Sequence, residues 1–200
     1  MSYRAYSLLL LSFWHINQIL SEKPLGLDVR EINKLTQKVM HSMIFQISTK
    51  EVSGSNLLNE DTLLQGDGTP YDYCSEIDEE VRTSAIQTLV NEILPKGMFE
   101  LTGANTMIYK GGIEEWKRSC IAGIRARAEE LTAENITDWV GPIYQLEKAL
   151  KNPLGIGNQF YLDTEGFQCY AEESYELLRF VDRLEVGTTI YFGGVIDYHF

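Results

Sequence analysis

The spacing of apolar residues predicts helices along most of the first 150 residues. Residues 6–20 are rich in leucine and are expected to form a buried first helix. A second helix is predicted to begin at Asp28, because Asp28 and Glu31 have the spacing of a capping box. Met43 and Ile47 then extend the apolar face of this second helix.

The strongest helical pattern follows Ser75. This residue is the predicted N-cap, and Asp78 occupies the reciprocal capping position. Apolar residues then recur every four positions, at Ile77, Val81, Ala85, Leu89 and Ile93. Because Pro95 and Gly97 break helices, they are expected to end this third helix.

A hairpin and two more helices are predicted next. Residues 98–101 and 106–109 are short extended runs joined by a Gly-Ala-Asn turn. A fourth helix is predicted from Ile113 to about residue 131. A fifth is predicted to begin at Pro142, since proline suits the first helical position, and to end near Lys151.

The last forty residues have a different character. Residues 158–170 read as a hairpin, residues 172–184 as a short helix, and residues 188–200 as a second hairpin. Gly193 and Gly194 are expected to form the tight turn of that second hairpin, because glycine adopts the positive φ that such turns need.

Together these elements predict an α+β fold, in which a mainly helical N-terminal two-thirds packs against a small antiparallel β-rich C-terminal third. Residues 1–200 are predicted to form one domain, divisible into a helical sub-lobe over residues 1–152 and an aromatic β-rich sub-lobe over residues 153–200.

Residues 53–74 interrupt this order. They contain closely spaced Gly, Pro, Ser, Asn and Asp, and their apolar residues follow no period. Loops this long are uncommon in compact domains and are often functional or mobile. The residues expected to anchor it are Leu57, Leu58, Leu63 and Leu64.

Composition and charge exclude several classes of protein. Hydrophobic residues make up 44% of the 200-residue chain and charged residues 23%, which is globular composition and excludes a wholly disordered chain. The formal net charge of −12 argues against direct binding of nucleic acid or of anionic membranes, because both carry negative charge.

The cysteines favour a cytoplasmic location. Cys74, Cys120 and Cys169 are an odd number, and no two form a CxxC pair, so reduced thiols are expected. Residues 5–20 resemble the start of a signal peptide, but His15 and Asn17 interrupt the apolar run and no small-residue cleavage site follows.

No motif for catalysis or for a cofactor is present. The phosphate-binding, nucleophile-elbow and zinc-protease patterns are missing, and Gly155 and Gly157 lack the third glycine of a dinucleotide fingerprint. Asp197 and His199 alternate on one predicted strand, as a carboxylate orienting an imidazole would, but any strand places such residues on one face. The sequence therefore favours a non-enzymatic protein without cofactor or metal.

One segment supplies most of the negative charge. Residues 51–81 contain nine Asp and Glu and no Lys or Arg. Three interpretations remain open: a solvated loop followed by a favourably charged helix N-terminus, a surface that binds a basic partner, and a divalent-cation site. The EF-hand pattern fails. The carboxylates predicted to bind a partner are Asp67, Asp72, Glu76, Asp78, Glu79 and Glu80.

These carboxylates need a counter-charge, which the sequence allows to be internal or external. The internal candidates are the cations of the fourth helix, Lys117, Arg118, Arg125 and Arg127. The prediction is an acidic interaction protein, an inhibitor or adaptor, that binds a basic protein surface, in an extreme form by imitating the charge of nucleic acid. The alternative is a small enzyme with its cleft between the helical part and the β-rich C-terminal part.

Overall fold

A computed structural model describes residues 42–162 and 169–199, and the predicted helices at residues 6–20 and from Asp28 to residue 41 lie outside this part. The strands are β1 Ser42–Ser48, β2 Tyr73–Glu76, β3 Phe99–Gly103, β4 Thr106–Tyr109, β5 Gln159–Leu162 and β6 Thr189–His199. The helices are α1 Glu79–Thr88, which continues as a π-helical turn Leu89–Ile93, α2 Ile113–Glu129, α3 Pro142–Lys151 and α4 Ser174–Val181.

The six strands form one mixed sheet around the long strand β6. β1 lies antiparallel along one side of β6, and β5 lies beyond β1 and parallel to it. The other side of β6 is shared, since β4 pairs with its first half and β2 with its last residues. β3 lies beyond β4. The sheet therefore has outer edges at β5, β2 and β3.

The predicted fold class is wrong in its arrangement. The described chain is α+β, but its strands extend from residue 42 to residue 199 and form a mixed sheet, not a small antiparallel third at the C-terminus. Between residue 42 and the end of the N-terminal two-thirds, helices do not dominate, because the four strands β1 to β4 all lie before residue 110. Since residues 1–41 lie outside the description, the single domain over residues 1–200 stays a prediction.

The main cause of this error is β1, which was predicted to be helical. Met43 and Ile47 have helical spacing, but residues 44–48 are all buried because both faces of the sheet are covered. A strand buried on both faces reads as a continuous apolar run, which periodicity alone cannot separate from a helix.

The predicted hairpin turn at Gly193 and Gly194 is also wrong. β6 passes through both glycines without turning, and the register with β1 shifts there, so that the two glycines oppose the single residue Gln46 in a β-bulge. A Cβ atom at Gly193 would clash with the side chain of Gln46, and one at Gly194 with the carbonyl oxygen of Leu58. Close approach of neighbouring atoms, and not a turn, requires these glycines.

Several other predictions are confirmed with adjusted ends. The hairpin of β3 and β4 and the helices α2 and α3 form as expected. The third predicted helix forms as α1 and its π-turn, but Ser75 belongs to β2, and Asp78 is the N-cap without a side-chain capping bond. β5 was predicted to pair in a hairpin with residues up to 170, but its described antiparallel contact on that side is a single bridge between Phe160 and Glu172, and its strand partner is β1, in parallel.

Both faces of the sheet are covered, because successive strand residues point to opposite sides. On one face, Phe45 and Val195 pack with side chains of α1, α2 and α4 in the larger core cluster. On the other face, Ile44 and Ile196 pack against Leu58, Leu63 and Tyr71 of the irregular segment. No helix within the described ranges is long and apolar enough to cross a membrane.

Candidate protein-interaction surface

The six carboxylates predicted to bind a partner are all exposed. Asp67 lies in a turn between Gly66 and Gly68, both with positive φ, and Asp72 directly precedes β2. Glu76 ends β2, Asp78 is the N-cap of α1, and Glu79 and Glu80 form its first turn. We call residues 59–80 the acidic segment.

Tyr71 holds the middle of the acidic segment on the sheet. Its hydroxyl donates to Oε1 of Gln159 at 2.7 Å and accepts from the backbone N–H of Ala171 at 2.8 Å. The ring is 1% exposed and meets Tyr198 edge to face, with centroids 5.3 Å apart. Burial raises the pKa of Tyr71 to about 12, so the hydroxyl stays neutral and can donate at physiological pH.

Gln46 fixes the chain just before the acidic segment. This side chain is 6% exposed and crosses from β1 to residues 56 and 58, just before the segment, and to the bulge of β6. Its Oε1 accepts from Leu58 N–H at 2.7 Å and from Gly194 N–H at 2.9 Å, and its Nε2 donates to the carbonyl of Asn56 at 2.7 Å. One buried amide thus satisfies three backbone groups that no regular pairing serves.

Residues 53–74 are largely irregular, as predicted, apart from a short 3-10 turn at Gly54–Asn56 and the start of β2, but these contacts tie them to the sheet at several points. Of the four leucines expected to anchor them, Leu58 and Leu63 are buried, whereas Leu57 and Leu64 are exposed. The backbone N–H of Leu64 also donates to the carbonyl of Cys169 at 3.0 Å. The carboxylates therefore stand on a segment whose backbone is held by buried side chains.

One cation, Arg82, and one imidazole, His199, contact the acidic segment within the described residues. Arg82 contacts Glu79 at 3.0 Å, and His199 contacts Asp72 at 3.3 Å between Nδ1 and Oδ2. Arg82 also donates to Oδ1 of Asn105 at 2.6 Å and to the carbonyl of Gly193 at 2.7 Å. Arg82 is the first Lys or Arg after the run of carboxylates at residues 51–81. This position along the chain is the sequence signal that could have identified it as a counter-charge.

The cations of α2 do not neutralise the segment. Lys117 binds Glu114 and Asp182, Arg118 binds Glu115, and Arg127 binds Glu130. Arg125 forms no ion pair in the part of the chain that the structure describes. The four internal candidates therefore supply no counter-charge to the acidic segment, and among the described residues Arg82 is the cation that does.

The described residues offer little support for a metal site or for a His-based nucleophile system. Residues 42–162 and 169–199 contain no group of three His, Cys, Asp or Glu placed to hold a metal ion. The imidazole of His199 contacts Asp72, and its ring stacks on Tyr73 with centroids 5.9 Å apart. The sequence suggested Asp197 as the carboxylate that orients His199. The structure places Asp72 against His199 instead, because the pairing of β2 with β6 brings residue 72 beside residue 199.

The cysteines are free thiols, and Cys74 is buried. Burial, with a smaller contribution from Asp197, raises the pKa of Cys74 to about 11, and burial also raises the pKa of Cys120. A nucleophilic thiol needs a lowered pKa, so neither is activated. Cys120 lines an open groove of about 470 Å³ between α2, α3 and residues 152–157, whose described lining contains no His, Asp or Glu.

In comparisons with known proteins, no family model, no curated protein and no solved structure matches this chain.

Proposed function

We propose that this chain is a non-enzymatic, cytoplasmic interaction protein, an inhibitor or adaptor, that binds a basic protein surface through the acidic segment. One observation carries the proposal. Asp67, Glu76 and Glu80 are exposed, lie on a segment anchored by Tyr71 and Gln46, and form no ion pair with any described cation.

Anchored carboxylates favour binding in two ways. Like charges in one segment repel each other, and a cationic partner relieves that repulsion. A segment already held by buried contacts loses less conformational entropy on binding than a mobile loop does. In its extreme form, the carboxylates would occupy the positions of phosphates and imitate the charge of nucleic acid.

The enzyme alternative has weaker support. It needs a cleft between the helical part and the β-rich C-terminal part, and the groove beside Cys120 has that position, because α2 and α3 line one side of it and residues 153–157 the other. That groove lacks an activated nucleophile or a described general base.

A matched pair of variants tests the proposal. The segment variant carries Asp67→Asn, Glu76→Gln and Glu80→Gln. The control variant carries Glu129→Gln, Asp138→Asn and Glu185→Gln, which removes three exposed carboxylates from other parts of the surface. Both variants have the same net charge, so any difference between them reports position and not total charge.

Affinity capture from the native source at low salt, followed by elution at high salt, supplies the measurement. We expect wild type and control to retain the same basic proteins and the segment variant to lose them. Equal retention by both variants would show that the carboxylates of the acidic segment are a solvated surface only.

A further inference from the structure

The sheet has three outer edges, and two of them are closed. On β2, the outward N–H of Cys74 donates to Oε1 of Gln65 at 2.8 Å, and that of Glu76 approaches Oε2 of Glu60 at 3.5 Å. On β5, Phe160 exchanges two backbone hydrogen bonds of 2.8 Å with Glu172. Covering an edge in this way prevents another chain from pairing with it.

No described residue pairs with the third edge, on β3. The N–H of Lys110 donates to the carbonyl of Met98, and in an antiparallel pair this bond makes residues 98 and 100 face β4. Phe99 and Leu101 must then direct their N–H and C=O groups away from β4.

The pairing of β4 with β6 leads independently to the same result. Tyr109, which is opposite Phe99, uses its N–H and its carbonyl toward Thr188 and Gly187, on the side of β6. Met107 lies opposite Leu101 and pairs with Ile190 on its other side. Because it is two residues from Tyr109, its N–H and C=O also point toward β6 and not toward β3. Within the described ranges, the outward backbone groups of Phe99 and Leu101 contact no hydrogen-bonding partner.

The side chains along this edge define what it can accept. Phe99 and Leu101 pack toward the larger core on one face, while Glu100 and Thr102 are exposed on the other. An added strand would therefore place apolar residues beside Phe99 and Leu101 and polar residues beside Glu100 and Thr102.

Negative charge lies at one end of the edge. Arg82 binds both Glu79 and the side chain of Asn105, which is in the turn that joins β3 to β4. The first turn of α1, with Glu79 and Glu80, thus borders the end of β3 at Gly103. A cationic strand would meet Glu80 there, which pairs with no described cation because Arg82 is taken by Glu79, whereas a second copy of this chain, with its net charge of −12, would be repelled.

We propose that β3 accepts an extended segment of the basic partner, which adds to the sheet as a further strand and alternates apolar residues with Lys or Arg. The charge of this partner rests on the proposed function. The position of docking rests on the open edge.

Two substitutions at one residue test the edge. Leu101→Pro removes an outward N–H without removing a bond to β4, and proline is tolerated at such edge positions. Leu101→Ala removes the same half-buried side chain but keeps the N–H, so it is the matched control. The stability of both variants is compared first by urea unfolding.

The probe is a synthetic peptide of alternating Lys and Val with blocked ends, and its affinity is measured by fluorescence anisotropy. The control peptide has the same sequence with alternate backbone nitrogens methylated, which keeps the charge but prevents strand pairing. A third peptide has Glu in place of Lys. In wild type, amide exchange of Phe99 and Leu101 is followed by NMR with and without the first peptide.

We expect the Lys–Val peptide to bind wild type, to slow exchange at Phe99 and Leu101, and to bind much better than the two other peptides. Leu101→Pro should weaken binding about tenfold relative to Leu101→Ala, the equivalent of one hydrogen bond. The exchange measurement in wild type decides the matter even where Leu101→Pro does not fold.

Equal affinity of the methylated peptide, equal affinity of the two Leu101 variants, or unchanged exchange at Phe99 and Leu101 would each overturn strand addition. The segment variant separates the two proposals. If it loses the peptide while Leu101→Pro retains it, the acidic surface stands and the edge does not. If the reverse holds, the edge stands without the acidic segment, and equal capture of basic proteins by the segment and control variants would then show that the proposed function fails.

Discussion

The hydrogen bonds of Gln46 allow a sharp prediction about what holds the acidic segment to the sheet. Gln46→Met keeps nearly the same shape and volume but removes the amide. The N–H groups of Leu58 and Gly194 and the carbonyl of Asn56 then lose their partner.

The burial of those three groups sets the magnitude. Leu58 is 4% exposed, so its unpaired N–H carries the full cost of a buried donor, about 1–3 kcal/mol. Gly194 is half-buried and Asn56 is exposed, so water can reach them and they add about 1 kcal/mol together. We expect Gln46→Met to lower the free energy of unfolding by about 2–4 kcal/mol, a large part of a typical 5–15 kcal/mol.

Gln46→Glu distinguishes lost hydrogen bonds from altered packing. As a carboxylate it still accepts from Leu58 and Gly194, but its second oxygen faces the carbonyl of Asn56. Burial and this carbonyl raise the pKa of the new carboxyl above its unfolded value of about 4.3. Protonated, it can donate to Asn56, so stability is present below that unfolded value and is lost as the pH rises through the folded pKa.

The assay is urea unfolding of wild type and both variants at a series of pH values, with equal m-values required for comparison. A loss below about 1 kcal/mol for Gln46→Met, or the same pH dependence for Gln46→Glu and wild type, would refute the role assigned to this network.

Three further predictions concern Tyr71 and the cysteine thiols. Tyr71→Phe should cost about 2–4 kcal/mol by urea unfolding, because it leaves Gln159 and the N–H of Ala171 without a partner, whereas the exposed Tyr175→Phe should cost less than about 0.5 kcal/mol. Since the folded pKa of Tyr71 is raised to about 12, stability should fall as the pH rises from about 10 to about 12, and less steeply in Tyr71→Phe; identical alkaline curves would count against it. Unfolding without reductant should expose three thiols per chain to a thiol reagent, with Cys74 unreactive in the native protein; a single reactive thiol after unfolding would indicate a disulfide.

The helices that could be predicted are those with an exposed polar face. α1, α2 and α3 each have one apolar side and recognisable ends, such as Pro142 at the start of α3. The local sequence is enough to predict these helices, because the hydrogen bonds of a helix join residues only four apart. The hairpin of β3 and β4 was predictable for the same reason.

The sheet could not be predicted, because its pairing is not local. β1 is buried on both faces, so its apolar residues do not alternate as in a half-buried strand, and its partners are 115 or more residues away. Gly193 and Gly194 were assigned to a turn because sequence cannot reveal that Gln46 and Leu58 approach them.

The acidic segment was readable as a charge run, but its anchoring was not. Asp67 and Glu76 could be identified from composition alone, because a run of acidic residues without Lys or Arg is evident whatever secondary structure it adopts. Tyr71 and Gln46 hold that run in place through contacts with residues 159 and 194, and nothing in their own neighbourhood indicates this.

The most direct test of the acidic surface is the rate at which the captured basic partner associates with wild type, the segment variant and the control variant over a range of salt concentrations. The account predicts that the segment variant associates more slowly and with a shallower salt dependence, while the control follows wild type. Equal rates and equal salt dependence for the two variants would contradict it.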